Sequence, residues 1–184
     1  MPEERETYSV EIAGLKRELP KFEVAPGVTI AILNILGDTV LVQASAKALA
    51  KKLKGIDYKA MVTAEAKSIP LLHALSVETN KPYVVLRKTY KPYMGEAIKA
   101  ETVSITTGKA QTLHLDSKDL ELVKGNRVVL VDDVVSTGST QQAMRAVMKK
   151  AGAEIVAEAA ILTEGDPEKW QGIISLGNLP VWRD

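Results

Sequence analysis

The chain has 184 residues, 46% hydrophobic and 26% charged, which suits one globular domain with a core of useful size and leaves no room for a second full domain. With 24 basic and 23 acidic residues the net charge is +1, so bulk electrostatics do not call for nucleic acid or an anionic membrane, and any anion must be held locally. The absence of cysteine excludes disulfides, thiol catalysis and thiolate metal sites, and no apolar run approaches the roughly 18 residues needed to cross a bilayer. A cytoplasmic protein with no membrane and no nucleic acid among its partners is expected.

The opening "TYSVEIAGLKRELPKFEV" alternates apolar and polar residues around Gly14, which predicts a hairpin or two short strands with one wet face. "PGVTIAILNILGD" reads as a turn and a short apolar run. From Asp38 onward Leu41, Ala48, Leu49 and Leu53 share one helical face, and Gly55 ends this first helix. "KAMVTAEAKSIPLLHALSVETNKPYVVLRK" reads as strand, loop, helix and strand, with Ser68 as N-cap and Pro70 in the first turn. His73 falls inside that helix and is read as packing or surface.

Residues 89–110 form a long excursion with Gly95 and Gly108 as hinges, and its "ETVSIT" portion pairs as a strand. "QTLHLDSKDLELVKG" gives a short strand carrying His114, then a one-turn helix capped near Asp116 or Ser117. "NRVVLVDD" shows no alternation, as befits a central parallel strand covered on both faces and ending at two acids. A five-residue loop then leads to a helix from Ser139, whose apolar face holds Met144, Val147, Met148 and Ala151. "EIVAEAAILTEGD" is a further strand. The tail is irregular, and Trp170 and Trp182 are read as packing, with a lid on a ligand pocket or a subunit contact as alternatives. Strands and helices alternating in this way predict an α/β fold: a twisted, mainly parallel sheet flanked by helices, with ligands at the carboxyl ends of its strands.

Asp132 and Asp133 stand at that edge, and "STGST" follows at residues 136–140. The first N–H groups of a helix lack partners, so small residues and hydroxyls there make a phosphate cradle, and Gly138 permits a positive φ. The pattern G-x-x-x-x-G-K-[ST] is missing, which argues against nucleoside triphosphate hydrolysis. Two carboxylates so close to a phosphate require something rich in hydroxyls or cationic between them. A sugar phosphate with Mg²⁺ meets both conditions. Between Arg87 and Lys99 four basic residues face a single acid, which is suited to a diphosphate.

"VVLVDDVVSTGST" resembles the 5-phosphoribosyl-1-pyrophosphate signature of the type I phosphoribosyltransferases. "TAEAKS" at 63–68 resembles the pyrophosphate loop of their adenine-specific members, and "PYVVLRK" with Lys91, then "TTGKAQTLHLD", resemble the segments that follow. The resemblance implies transfer of ribose 5-phosphate from that donor to a purine base, adenine first, with Mg²⁺ as cofactor. It also implies a small hood built from residues 1–36 and 165–184 on a core of 37–164, a mobile β loop and a homodimer. Carried over by position, Asp132, Asp133 and Lys67 are the catalytic group, with Mg²⁺ held mainly by the donor near the two acids. Ser136, Thr137, Gly138, Ser139 and Thr140 bind the 5-phosphate; Glu65, Ala66, Lys67, Ser68, Arg87, Lys88 and Lys91 bind pyrophosphate. Lys67 and Ser68 replace an Arg-Gly pair of those enzymes, and Thr106 and Thr107 replace a Glu-Tyr pair, leaving Glu101 or Glu96 to move the proton. The alternative is a regulator on the same fold that binds the donor or a nucleotide without turning it over.

Overall fold

The computed structural model describes residues 6–103 and 110–183, so the readings placed on Thr106, Thr107 and Gly108 lie outside the described residues. Strand β1 (Thr7–Ile12) turns back into β2 (Leu15–Ala25) as an antiparallel hairpin, and β3 (Val28–Ala31) pairs with β2. Helix α1 (Thr39–Leu53) starts where the Asp38 carboxylate accepts the Leu41 N–H at 3.0 Å. The same carboxylate takes two bonds from Arg17 on β2, at 2.7 and 3.0 Å, and the guanidinium holds its pKa below the usual carboxylate range. One acid thus caps a helix and pins a hairpin to it.

Strand β4 (Ala60–Ala64), helix α2 (Ile69–Thr79) and strand β5 (Tyr83–Leu86) follow as the expected βαβ unit, with β4 and β5 parallel. Strands β6 (Ile98–Val103) and β7 (Ala110–Leu115) pair antiparallel, and a backbone bridge between Arg87 and His114 joins them to the end of β5. After a cap at Asp116 and the short α3 (Leu120–Val123) comes β8 (Arg127–Val135), then α4 (Ser139–Ala151) and β9 (Glu154–Glu164). The tail is more regular than its sequence suggests: β10 (Ile173–Ser175) and β11 (Asn178–Leu179) lie parallel to β9, and β12 (Val181–Arg183) pairs antiparallel with β3. Strands of two or three residues are too short to display a period.

The main sheet runs β10-β9-β8-β4-β5, all parallel, and a second sheet runs β1-β2-β3-β12. The side chains of β8 divide by parity. Val129 and Val131 join Leu41, Leu49, Leu71, Leu72 and Leu75 under α1 and α2, while Val128 and Leu130 join Met144, Val147, Met148 and Leu113 under α4 and the β6–β7 hairpin. An unbroken apolar run is what a strand covered on both faces requires, and each such side chain contributes about 1.5–3 kcal/mol when buried. Among the described residues no helix is long and apolar enough to cross a membrane.

Candidate active site

The two acids do not end their strand. β8 continues to Val135 because β9 pairs with it as far as Val135 opposite Thr163, so only Ser136, Thr137 and Gly138 separate it from α4, instead of five residues. On the other side, pairing with β4 stops at Val62 opposite Leu130. Asp132 and Asp133 therefore lie where β8 still has a neighbour on one edge and has lost it on the other. The loop after β4, with a cis peptide between Glu65 and Ala66, fills that gap.

Ser68 makes the junction. It occupies the N-cap position of α2, yet its hydroxyl does not cap the helix. Instead the hydroxyl accepts the Asp133 N–H at 2.9 Å, donates to Asp132 Oδ1 at 2.8 Å and lies 3.1 Å from Asp133 Oδ1. Asp132 Oδ1 also accepts the Asp133 N–H at 2.9 Å, and Asp132 Oδ2 accepts from the Gln141 side chain at 2.9 Å. Burial, and then the neighbouring charge of Asp133, push the Asp132 carboxyl up to about 7. Asp133 Oδ2 meets the Lys67 ammonium at 2.9 Å without an aligned hydrogen-bond donor among the described residues, while Lys67 also donates to the Leu33 carbonyl. One acid is fully braced, and the other presents an oxygen to a cation that is 41% exposed.

Ala64, Glu65, Ala66, Lys67, Ser68, Lys88, Asp132, Asp133, Val134 and Thr140 enclose a cavity of 160 Å³. Of the residues expected from sequence, this brings together both acids, residues 65–68, Lys88 and Thr140. Arg87 and Lys91 do not line it. Glu65 takes the Arg87 Nε–H at 2.6 Å and the Lys88 backbone N–H at 2.6 Å, and Lys91 starts the 3-10 turn at Pro92–Met94. Ser136, Thr137, Gly138 and Ser139 form the turn into α4, where the Thr137 hydroxyl accepts the Ser139 N–H at 3.3 Å. Gly138 has φ +82°, and a Cβ added there would come within 3.0 Å of Trp170, whose indole N–H donates to the Glu164 carbonyl. The turn thus needs a glycine twice over, for its conformation and for the ring beside it.

Gln141, Leu33 and the placement of Trp170 against the turn were not anticipated. Gln141 did carry a signal: it lies three and seven residues before Met144 and Met148, so it is a polar side chain on the apolar stripe of α4, and it is buried. A main-chain acceptor such as Leu33 leaves no mark in sequence. Glu96 is exposed, and Glu101 lies on the hairpin opposite Thr112, lining a different cavity.

The phosphoribosyl transferase domain family matches residues 34–171. An adenine phosphoribosyltransferase of Thermosipho africanus is 33% identical over 167 residues, covering 87% of this chain and 94% of that protein. A hypoxanthine/guanine phosphoribosyltransferase of Methanotorris igneus is 38% identical over 120 residues, covering 64% of this chain and 62% of that protein, so the chain spans less than two thirds of this second relative. Among solved structures, an adenine phosphoribosyltransferase of Thermoanaerobacter pseudethanolicus superposes with TM-score 0.64 at 21% identity, covering 94% of this chain and 95% of that one. The Trypanosoma brucei adenine enzyme in complex with AMP, pyrophosphate and ribose-5-phosphate gives 0.67 at 21% identity, covering 94% and 76%. These likenesses establish the fold, and the mainly parallel α/β sheet expected from sequence is theirs.

Proposed function

This chain belongs to the phosphoribosyl transferase domain family, and from that premise we propose that it transfers ribose 5-phosphate from 5-phosphoribosyl-1-pyrophosphate to a purine base, adenine first, with release of pyrophosphate. The observation that carries this reading is the cavity itself, in which the acid pair of β8, the loop after β4 and the first turn of α4 share one wall. Adenine leads because the relative matched over most of both chains is an adenine enzyme; hypoxanthine and guanine follow from the shorter matches.

In this reading the 5-phosphate sits at the turn into α4, on N–H groups that the helix leaves unpaired. The ribose hydroxyls donate to the carboxylates, with Asp133 Oδ2 the oxygen that has no aligned donor to displace. Lys67 then exchanges one anion for another: it leaves Asp133 and meets the diphosphate as the C1′–O bond breaks. Positive charge builds on the sugar and negative charge on the diphosphate, so the protein supplies electrostatic stabilisation and water exclusion, with no nucleophilic side chain. The base nitrogen forms the new bond to C1′ and gives up its proton to water or to the departing diphosphate, which carries off the electron pair of the broken C1′–O bond.

Mg²⁺ fits this site in a limited way. Among the described residues no group of three or more His, Cys, Asp or Glu is arranged to hold a metal. Mg²⁺ would therefore take most of its oxygens from the diphosphate, the sugar and water, with Asp132 and Asp133 the protein carboxylates that would contribute, and it would neutralise the leaving group. A homodimer belongs to the same reading. Pyrophosphate release assayed with adenine, hypoxanthine, guanine and xanthine tests it. Base-dependent turnover is expected, fastest with adenine, whereas bound donor with no turnover on any of the four would overturn the enzymatic reading.

A further inference from the structure

Lys88 borders a second cavity, of 500 Å³, whose other walls include Tyr90, Lys99, Glu101, His114 and Lys150. The β6–β7 register places Lys99 opposite His114 and Glu101 opposite Thr112 on one face of the hairpin, while Ala100, Leu113 and Leu115 are buried on the other. A hairpin face open to water normally carries polar side chains that reach solvent. This one departs from that pattern in two ways. His114 is only 9% exposed, so its imidazole is tucked into the cavity wall and not turned out to water. Lys150, reaching across from α4, donates to the Lys99 carbonyl at 2.9 Å and is thereby fixed over the hairpin.

Three ammonium groups against one carboxylate around one cavity give it a local positive potential that favours an anion there. Burial, and then the charge of Lys99, hold the His114 imidazole below its usual pKa, so at neutral pH it is uncharged and able both to donate and to accept. The Tyr90 ring lies 6.0 Å from the His114 ring, tilted by 52°, and is 46% exposed at the cavity. Its hydroxyl is already committed to the Gly95 carbonyl, so what it offers is the ring face. A bare phosphate would satisfy the lysines and leave both the ring and the imidazole unused. The volume is also that of a small organic ligand.

We propose that this cavity is a second ligand site, separate from the acid pair, that takes a nucleotide. The phosphate lies on Lys99 and Lys150, and the base lies against Tyr90 within hydrogen-bond reach of His114. Base stacking on an exposed aromatic ring beside cations is a recurrent way of holding nucleotides, and it tolerates more than one base.

The chain has two histidines, so a His73→Gln variant leaves His114 as the sole imidazole for NMR. Titrated with AMP, its ring resonances are expected to shift saturably and its pKa to rise as the phosphate arrives. Inorganic phosphate in a parallel titration should bind at least about ten-fold more weakly, since it gains nothing from the ring; that corresponds to about 1.4 kcal/mol. Adding Lys99→Ala and Lys150→Ala should abolish the His114 response while calorimetric binding of 5-phosphoribosyl-1-pyrophosphate and the melting temperature stay as they were. The proposal is overturned by an absent shift, by phosphate binding as tightly as AMP, or by a His114 response that survives loss of both lysines. Failure of donor binding in the parent protein would instead count against the reading of the acid pair.

Discussion

At position 68 a single hydroxyl accepts the Asp133 N–H and donates to Asp132, so the loop that would meet the diphosphate is tied to the acids that would meet the ribose. Its bond to Asp132 favours the ionised carboxylate and works against the burial that raises this group to about 7. Donor binding that needs both acids ionised should strengthen as pH rises through that value. In Ser68→Ala the carboxylate loses a hydrogen bond to a charged group, so the midpoint of the KM-against-pH curve should move up by about one unit or more. Near neutral pH the donor KM should rise about ten-fold, and Ser68→Thr should restore it. A midpoint that does not move would leave Ser68 as mere packing. The acid pair stood out in sequence only as part of a longer pattern, an unbroken apolar run ahead of it and a Ser/Thr/Gly turn into a helix behind it. The unequal surroundings of the two acids were not legible, since these come from Gln141 and Ser68, one nine residues from Asp132 and the other 64, and spacing does not say which side chains converge.

Elements were legible where the sequence repeats a pattern over several residues. The β8 run, the apolar stripe of α4 and the start of α1 beside Asp38 all stand where the sequence pattern puts them. What stayed hidden was the partner of each element. β8 outruns its acids because of β9, and Arg87 is held by Glu65 from a loop 22 residues earlier, which no local pattern records. Asp38 offers a test at this scale. Replacing it with alanine removes the α1 cap and the anchor of the β1–β2 hairpin together, and cap loss alone costs about 1 kcal/mol. The sign with pH is definite: the folded pKa is depressed, so this contribution is complete above the ordinary carboxylate value and is lost as pH falls through the lower folded one. Thermal unfolding of Asp38→Ala should show a lower midpoint at pH 7 and a difference from wild type that shrinks on acidification. Equal midpoints at pH 7 would contradict the double role.

For the whole molecule, alternating strand and helix signals were sufficient to indicate the mainly parallel sheet. They could not show that β12 closes the sheet begun by β1, because antiparallel pairing between the two ends of a chain depends on the fold that brings them together. Near-neutral net charge likewise conceals how the charges are sorted. Glu65 neutralises Arg87, Asp133 engages Lys67, and Lys88, Lys99 and Lys150 are left around one cavity. The central claim is that the acid pair of β8 and the turn into α4 hold one phosphorylated pentose, and calorimetric titration with 5-phosphoribosyl-1-pyrophosphate and Mg²⁺ tests it most directly. The wild-type protein should bind one donor per chain, and Asp132→Asn with Asp133→Asn, which preserve side-chain shape, should weaken that binding about 100-fold or more. An affinity unchanged by the double substitution, or no binding to the wild-type chain, would contradict the account.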